Sequence, residues 1–517
     1  MRIAFLQYDL RFRVGIGILS ALLKKNGHIT AVFTSFDKDL INDIIKFNPD
    51  ILGLSSSTTE HNYLYQVAEE VKNVKKDLLV VLGGPHATFF PEEIFKRDII
   101  DIICRGEGDE AIVELANRLE NNENYFNIKN LWVKKGNNVI TNEIRPLIEQ
   151  LDDLPFPDRE IYYNKYPELK NNPTKLFLLG RGCPFNCTYC FNHQMRKLYK
   201  DKGEYVRMPS VDYAIRQIKE VQDKFGFKWV QIVDDTINAK KAWIEEFLVR
   251  YKKEIGVPFL VNIRIDLMDE DLALKFIEAG IDRVDFGIEH GNEKFRREVL
   301  NRNYKNEHVI KIARFLKEHN VRISTTNMVG FPGETLDLAF ETVELNRKIK
   351  PDISTCFILI PFPKTDIYNY CLERNLLKEN VTIDNLPVAM LYWYHAKKYA
   401  HSVVKLEREN ELINFHKLFD LLVKYESLEP AIRVLMKLPP NNFFNFISVL
   451  PKISQKVRYS LSREEKIKNI KVYTNAFNLD INYNDYWIEF FDKKIIAERD
   501  LIPILMLLSY ELLDKNQ

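Results

Sequence analysis

The sequence predicts an α/β protein with two successive parallel sheets and a mostly helical C-terminal part. Apolar runs alternate with amphipathic helical stretches over residues 1–120 and again over residues 175–359, and the alternation then stops. Near-continuous apolar strands separated by single helices are typical of parallel sheets. At 517 residues the chain is too long for one ordinary core, so we expect two or three domains.

The first series predicts a doubly wound parallel sheet, in which ligands bind beyond the carboxyl ends of the strands. These ends carry small and hydroxyl-bearing residues such as Ser55–Ser56–Ser57 and Gly83–Gly84, where a bulky ligand could approach the backbone closely. A small hairpin with its turn at 135–138 and a proline-punctuated linker at 151–160 are expected next. The predicted strands are 2–7, 29–34, 50–56, 78–83 and 101–105.

The second series predicts a partial (β/α)6 barrel of the TIM-like kind, with its site at the carboxyl ends of the strands. Its strands are predicted at 175–180, 229–235, 259–264, 282–287, 322–330 and 352–359. The rest of the chain reads as mostly helical, with aromatic clusters at 392–394 and 443–444. We therefore expect four segments: a first domain at 1–124, hairpin and linker at 125–169, the barrel at 170–379 and a helical substrate domain at 380–517.

Charge and hydropathy exclude several classes of partner. The 74 basic and 73 acidic residues leave a formal net charge of +1, so composition gives no sign of the one-signed field that nucleic-acid binding needs. The N-terminal segment has no secretory-signal pattern, and the apolar run Leu501–Leu508 is far too short to span a bilayer. We expect a cytoplasmic protein that does not bind nucleic acid and has no membrane-spanning segment.

Three cysteines in the segment GRGCPFNCTYCFN form a C-x3-C-x2-C pattern directly after the first barrel strand. Three thiolates on one loop can bind three irons of a cubane cluster and leave the fourth iron open for chemistry. Zinc is the competing metal, with His193 as a fourth ligand. A structural role as three buried cysteines is disfavoured by Gly182 and Pro184 in the same loop. The predicted cluster ligands are Cys183, Cys187 and Cys190, and the scattered Cys104, Cys356 and Cys371 are interpreted as structural.

The cysteine spacing, the aromatic Tyr189 before the last cysteine and the position after strand one resemble the radical S-adenosylmethionine (SAM) superfamily. The resemblance covers about residues 170–375 and includes the rim motifs IVDDTI (232–237), NIRID (262–266), FGIEHGNEKFRREVLNRNY (286–304), NMVGFPGET (327–335) and PFPKT (361–365). It implies a [4Fe–4S] cluster whose open iron chelates SAM, and reductive cleavage to a 5′-deoxyadenosyl radical.

Carried over onto this sequence, the resemblance places SAM-binding residues at the strand ends. Either Asp234 or Asp235 would line the pocket, and Asp234 is the one assigned. A carboxylate at Glu289 suits a ribose diol, and the Arg302 guanidinium suits a carboxylate. The assigned SAM-binding residues are Tyr189, Asp234, Arg264, Glu289, Arg302, Asn327 and Gly330.

The N-terminal domain resembles the cobalamin-binding domains attached to radical SAM barrels, through SSSTT (55–59), GGPHAT (83–88) and ICRGEGDEAI (103–112). One departure is that the loop after strand one, residues 8–15, lacks the histidine of the Asp-x-His-x-x-Gly motif, so no histidine from this loop is expected beneath the cobalt. The implied cobalamin-binding residues are Tyr8, Asp9, Ser55, Ser57, Thr58, Gly83, Gly84, His86, Gly106 and Glu107.

The combined resemblance implies methylation of an unactivated carbon of a small molecule, through a 5′-deoxyadenosyl radical and methylcobalamin. A cyclase or rearrangement enzyme that transfers no methyl group, and a non-catalytic cobalamin or SAM sensor, remain alternatives. The G-x-G-x-x-A match at 106–111 is rejected as an NAD site because it follows a late strand and is acidic. A methylthiotransferase is disfavoured because Cys104 is the only cysteine of the N-terminal domain. An electron donor of flavodoxin or ferredoxin type is the expected partner, and no catalytic side chain is assigned.

Overall fold

The computed structural model describes residues 1–387, 401–440 and Phe444. It contains a seven-stranded and a six-stranded sheet, which correspond to the two predicted series. The α/β fold class is therefore confirmed. None of the helices within the described ranges has the length and apolar composition needed to cross a bilayer.

The first sheet has five parallel strands and an antiparallel hairpin at one edge, in the order β2-β1-β3-β4-β5-β6-β7. The predicted hairpin is β6–β7, and it continues the sheet because β6 pairs with β5. The strands are β1 (Arg2–Gln7), β2 (Ile29–Thr34), β3 (Ile51–Ser55), β4 (Leu79–Gly83), β5 (Ile102–Cys104), β6 (Leu131–Lys135) and β7 (Asn138–Thr141).

Helices cover both faces of this sheet. On β1, Ile3 and Phe5 belong to one buried cluster, whereas Ala4 and Leu6 belong to another on the opposite face. This alternation explains why the strands are apolar at nearly every position. The helices are α1 (Val14–Lys25), α2 (Leu40–Phe47), α3 (His61–Val74), α4 (Pro85–Phe89), α5 (Pro91–Ile94) and α6 (Asp109–Glu120), with α7 (Glu160–Tyr163) and α8 (Pro167–Lys170) in the linker.

The second sheet is an open barrel in which every strand is parallel to the next one along the chain. Six strands in simple sequential order are what a partial (β/α)6 barrel requires. They are β8 (Thr174–Phe177), β9 (Trp229–Ile232), β10 (Phe259–Asn262), β11 (Ile281–Glu289), β12 (Arg322–Val329) and β13 (Ile353–Ile358).

Side chains of the barrel strands alternate between the helical layer and the interior of the barrel. On β12, Ile323 and Asn327 are buried towards the helices, whereas Thr326 and Met328 are half-buried and face the other way. The helices that follow β8 to β13 are α9 (Phe191–Leu198), α10 (Val211–Phe225), α11 (Lys241–Glu254), α12 (Glu270–Glu278), α13 (Glu293–Leu300), α14 (Asn306–Glu318), α15 (Leu336–Ile349) and α16 (Asp366–Glu373).

The described part of the C-terminal segment is mainly helical, as predicted, and it packs against the last strand of the barrel. It contains α17 (Glu409–Lys424) and α18 (Glu429–Leu435). Asp420 of α17 accepts a hydrogen bond of 2.6 Å from the Ser354 hydroxyl of β13, and His416 Nδ1 lies 2.9 Å from the Cys356 carbonyl oxygen. The aromatic cluster at 392–394 and Phe443 lie outside the described residues, and Phe444 is buried.

Candidate active site

The three clustered cysteines lie on the loop between β8 and α9, at the carboxyl end of the barrel. Cys187 is buried, and Cys183 and Cys190 are half-buried. The Cys183 sulfur lies 3.4 Å from the Thr236 hydroxyl, and Arg264 donates to the Cys187 sulfur at 3.5 Å. Burial raises the pKa of Cys190 to about 11, so binding a metal must displace its proton. Thiols next to a guanidinium and a hydroxyl suit an anionic iron–sulfur cluster.

His193, the fourth ligand of the zinc alternative, lies beside an aspartate of α16. It lies on α9 with its Nδ1 3.0 Å from Asp366 Oδ2 of α16. The nearest partner of the histidine is therefore a carboxylate.

Tyr189, Glu289 and Arg302 meet beside the cysteine loop. Arg302 Nη1 donates to the Tyr189 hydroxyl and to Glu289 Oε1, each at 2.9 Å, and Nη2 donates to the Gly287 carbonyl at 2.7 Å. The Arg302 Nε atom is buried without a hydrogen-bond partner. Burial raises the pKa of Glu289 although the Arg302 charge opposes the rise. The cluster thus offers a carboxylate, a guanidinium and a phenol to a polar ligand.

The backbone at the end of β11 is shaped to hold this carboxylate. Glu289 has a φ of 65°, in the left-handed region, which costs a non-glycine residue about 1–2 kcal/mol. A Cβ atom on Gly287 would stand 2.0 Å from Glu289 Oε1, so a side chain there would displace the carboxylate. Strained backbone of this kind is concentrated at functional sites.

His290 and Glu334 lie side by side where the end of β11 meets the turn after β12. His290 Nδ1 accepts the Asn292 amide proton at 3.0 Å, so the ring proton belongs on Nε2, which lies 3.3 Å from Glu334 Oε1. The other carboxylate oxygen accepts the amide protons of Gly330 and Phe331 at 2.6 and 3.0 Å. No local motif indicates this pair, because the histidine and the glutamate are 44 positions apart.

Arg264 is held at the rim by contacts on three sides. Its guanidinium makes two 2.8 Å hydrogen bonds to Asp266 and stacks 3.8 Å from the centre of the Phe185 ring. Its backbone amide donates to Asn238 at 3.0 Å. One Nη atom is directed at Cys187, so the side chain places a positive charge next to the cysteine loop.

Asp234 and Asn327 have structural contacts. Both Asp234 oxygens accept backbone protons, from Leu179 at 2.9 Å and Gly180 at 2.6 Å, and Asp235 is the aspartate that is exposed at the rim. Asn327 accepts a hydrogen bond from the Asn346 side chain of α15 and donates one to the Thr355 carbonyl, so its side chain lies on the helical side of the sheet. Side chains along β9 and β12 alternate between the two faces of the sheet. This alternation could have distinguished Asp234 and Asn327 from the neighbouring residues that line the pocket.

In the first domain, the predicted cobalamin residues at the ends of β1, β3 and β4 lie at one edge. Asp9 is buried and pairs with Arg13 at 2.7 Å, and Arg13 also binds Glu60 and the Ser55 carbonyl. A Cβ atom on Gly83 would meet no atom closer than 4.0 Å, so this edge is open. Tyr8, Ser57 and Gly84 are half-buried at the same edge.

His86 and Thr58 lie deeper than the open edge. The His86 ring stacks on His61 at 4.2 Å, and its Nε2 lies 3.1 Å from the Tyr65 hydroxyl, while Nδ1 is buried without a hydrogen-bond partner. Burial lowers the pKa of His86 to about 3, so the ring is neutral. The Thr58 carbonyl contacts His61 Nδ1 at 2.5 Å. These residues form a packed layer behind the open edge.

Gly106 and Glu107 contact the barrel domain. Gly106 lies against Tyr199, and the Glu107 carboxylate pairs with Arg181 and Arg207. Nearby, the Phe89 ring of α4 stacks on Phe191 at 4.6 Å. The loops after β4 and β5 therefore meet the cysteine loop of the second sheet.

Comparison with known proteins identifies both domains. A sequence model of the radical SAM superfamily matches residues 177–345, and a model of the B12-binding domain matches residues 12–116. The chain is a B12-binding radical SAM protein. These two domains imply a [4Fe–4S] cluster, SAM and cobalamin as its cofactors, as the sequence predicts.

Relatives of this radical SAM protein carry different activities in their names. It is 27% identical to an uncharacterized methyltransferase of Pyrococcus horikoshii, over 70% of this chain and 79% of the relative. It is 25% identical to an anaerobic magnesium-protoporphyrin IX monomethyl ester cyclase of Rubrivivax gelatinosus, over 68% of this chain and 65% of the relative.

Two solved structures share its fold at low sequence identity. The cobalamin-dependent radical enzyme OxsB matches with a TM-score of 0.65 and 15% identity, over 99% of this chain and 80% of that one. The methyltransferase TsrM from Kitasatospora setae matches with a TM-score of 0.63 and 13% identity, over 92% of this chain and 99% of that one. Both solved structures have cobalamin bound.

Proposed function

We propose that this radical SAM enzyme is a cobalamin-dependent methyltransferase that methylates an unactivated carbon of a small molecule. The observation that carries the proposal is that the cysteine loop of the barrel packs directly against the loops at the strand ends of the B12-binding domain. Such packing would place the proposed iron–sulfur cluster and the proposed cobalamin site next to each other, where the two domains meet. We keep the domain division 1–124, 125–169, 170–379 and 380–517 as part of this proposal.

The residues present suit the cofactors that the two domains imply. Cys183, Cys187 and Cys190 would hold three irons as thiolates, with Arg264 offsetting part of their negative charge. The open edge at Gly83, with Ser55, Ser57 and Gly84 around it, would receive the flat face of a corrin. When bound, the cluster with SAM supplies a carbon radical that can abstract hydrogen, and cobalamin supplies the methyl group.

Around the cluster, side chains of this chain bind and orient SAM. Glu289 and Arg302 are already aligned by their mutual hydrogen bond, so a ligand's hydroxyl and carboxylate groups would meet fixed partners. The Tyr189 hydroxyl accepts a second hydrogen bond from the same guanidinium nitrogen. Because Asp235 is the exposed aspartate of the pair after β9, we propose it in place of Asp234 as the residue that lines the pocket.

The test uses full-length protein reconstituted anaerobically with iron, sulfide and cobalamin, then given methyl-labelled SAM, a strong reductant and a mixture of candidate small-molecule substrates. A methyltransferase should form both 5′-deoxyadenosine and S-adenosylhomocysteine. Formation of 5′-deoxyadenosine alone would instead favour a cyclase or rearrangement enzyme, which the name of the Rubrivivax gelatinosus relative makes a specific alternative. Formation of neither would favour the sensor alternative and overturn the proposal.

Cys187→Ala should abolish the iron–sulfur absorbance and the formation of 5′-deoxyadenosine. Cys371→Ala is the matched control, because Cys371 is a buried cysteine of α16 outside the loop. The control should retain both properties. A Cys187→Ala protein that keeps a full cluster would contradict the ligand assignment.

A further inference from the structure

The loop after β5 and the first residue of α6 join the two domains through partly buried ion pairs. Glu107 Oε2 lies 2.9 Å from Arg181 Nη1, and its other oxygen contacts Arg207. Asp109 Oδ1 and Oδ2 each lie 2.9 Å from one Nη atom of Arg181. Asp109 and Arg207 are buried, so each of these charges depends on its partner in the other domain. We call Glu107, Asp109, Arg181 and Arg207 the interdomain latch.

The backbone of the same segment is fitted to the barrel domain. Gly106 has a φ of 72°, and a Cβ atom on it would stand 2.0 Å from the Tyr199 hydroxyl oxygen. The Glu107 amide donates to that oxygen at 2.7 Å. The glycine that makes the segment look like a dinucleotide fingerprint is therefore explained by close approach to a tyrosine of the other domain.

On the barrel side, the latch ends at the first residues of the cysteine loop. Arg181 and Arg207 are joined by two backbone hydrogen bonds of 2.8 and 2.9 Å. Arg181 directly precedes Gly182 and Cys183. A contact that fixes Arg181 relative to β5 therefore also fixes the start of the loop that carries the cysteines.

The charges of the latch depend on one another. Burial alone would raise the pKa of Asp109, but the Arg181 charge beside it holds the pKa below its ordinary value. Removing one member leaves a buried partner without compensation, and such losses are strongly destabilising even where the intact pair adds little stability. Domains of one chain move relative to one another unless their interface is large and hydrophobic.

We propose that the interdomain latch sets the position of the cobalamin-binding strand ends over the cysteine loop, which makes its four members positioning residues for chemistry between the two cofactors. This inference rests on the proposed function for its purpose. It reassigns Glu107, which the sequence places at the corrin, and it assigns roles to Asp109, Arg181 and Arg207, which the sequence does not single out.

The test compares Glu107→Gln and Asp109→Asn with Glu92→Gln in full-length holoprotein. Glu92 is a matched control because it also faces the barrel domain, through an exposed contact of 3.8 Å to Lys364. Hydrogen exchange reports on the latch itself: the amides of 105–109 should exchange about tenfold faster in the latch variants and at the wild-type rate in the control.

Electron paramagnetic resonance reports on the distance between the cofactors. With cob(II)alamin and the reduced cluster both paramagnetic, the cluster shortens the relaxation time of the corrin signal through space. The latch variants should lengthen that relaxation time and broaden its distribution while binding as much cobalamin and iron as the wild type. Destabilising either domain alone would lower cofactor content but would not produce this change.

Tyr199→Phe removes only the hydroxyl oxygen that accepts the Glu107 amide proton, and it keeps the proposal testable where the charge variants fail to fold. It should speed exchange of that amide and lengthen the relaxation time to a smaller extent. Unchanged exchange and relaxation in folded variants would overturn the proposal. Latch variants with lower cobalamin content and unchanged relaxation would also overturn it, and would indicate that Glu107 contacts the corrin. A wild type that lacks a corrin or cluster signal contradicts the proposed function, and the exchange comparison then still tests the latch.

Discussion

At the scale of single residues, Asp234 shows how burial decides the part that a carboxyl group plays. Both oxygens accept backbone protons of the segment that leads into the cysteine loop. Two such hydrogen bonds favour the ionised form, yet full burial disfavours it more and raises the pKa of Asp234 to about 7. The residue therefore fastens β9 to the end of β8 and carries a proton over much of the acidic range.

This predicts a pH dependence of stability. The folded pKa lies above the ordinary value of 3.8, so the contribution of Asp234 is fully present below about pH 4 and is lost as the pH rises through about 7. Compared with Asp234→Asn, which does not titrate, the wild type should lose at most about 4 kcal/mol between these values. Thermal unfolding of both proteins without cofactors at a series of pH values measures it. A constant difference across the range would contradict the prediction.

The sequence predicts residues well where their chemistry depends on local spacing. The three cysteines fall within eight positions, and the structure keeps them on one loop. The motif predicts that Asn327 lies in the pocket, whereas its side chain is on the opposite face of β12 and contacts Asn346 of α15. Glu107 depends on Arg181 and Arg207, which are 74 and 100 positions later. No local pattern carries information about such distant partners.

At the scale of elements, the cysteine loop depends on one backbone conformation. Gly182 has a φ of 87°, and a Cβ atom on it would stand 2.3 Å from the Tyr205 carbonyl oxygen. Gly182→Ala must therefore combine left-handed strain of about 1–2 kcal/mol with a clash against the backbone. We expect loss of most of the bound iron, measured by iron content after reconstitution, with little change in circular dichroism.

Gly226 provides the matched comparison for this substitution. It lies in the same domain, has a φ of 62° and has no atom within 4 Å of an added Cβ. Gly226→Ala should strain the backbone at a positive φ without causing a steric clash, and the variant should keep its iron. Equal loss of iron in both variants would show that general destabilisation, rather than the shape of the loop, is responsible.

Elements were predictable where a buried face repeats along the chain, and less so where pairing involves an edge. Both βα series are visible because alternate apolar residues of each strand meet helices, as Ile3 and Ala4 do on opposite faces of β1. The hairpin was predicted from its turn, but its place beside β5 was not. Edge pairing is set by backbone hydrogen bonds, which place few demands on side chains.

At the scale of the whole molecule, the cysteine loop is supported from the other domain by an aromatic contact. Phe191 directly follows Cys190, and its ring lies between Phe89 of α4 at 4.6 Å and Phe362 at 5.6 Å. Phe89→Ala should open a gap against Phe191, at a cost of up to about 3–5 kcal/mol for a fully buried ring. The expected result is faster loss of iron to a chelator, followed by absorbance, although Phe89 lies in the B12-binding domain.

Phe47→Ala separates this interdomain effect from damage to the first domain. Phe47 packs on Phe33 at 6.0 Å within that domain and belongs to α2, away from the contact with Phe191. Its variant should lower the unfolding temperature of the first domain while iron is lost at the wild-type rate. Phe89→Leu should recover most of the retention, because an apolar side chain again fills the gap. If Phe47→Ala loses iron as fast as Phe89→Ala, the cluster depends on the stability of the first domain rather than on this contact, and cofactor retention would no longer report on how the two domains are docked.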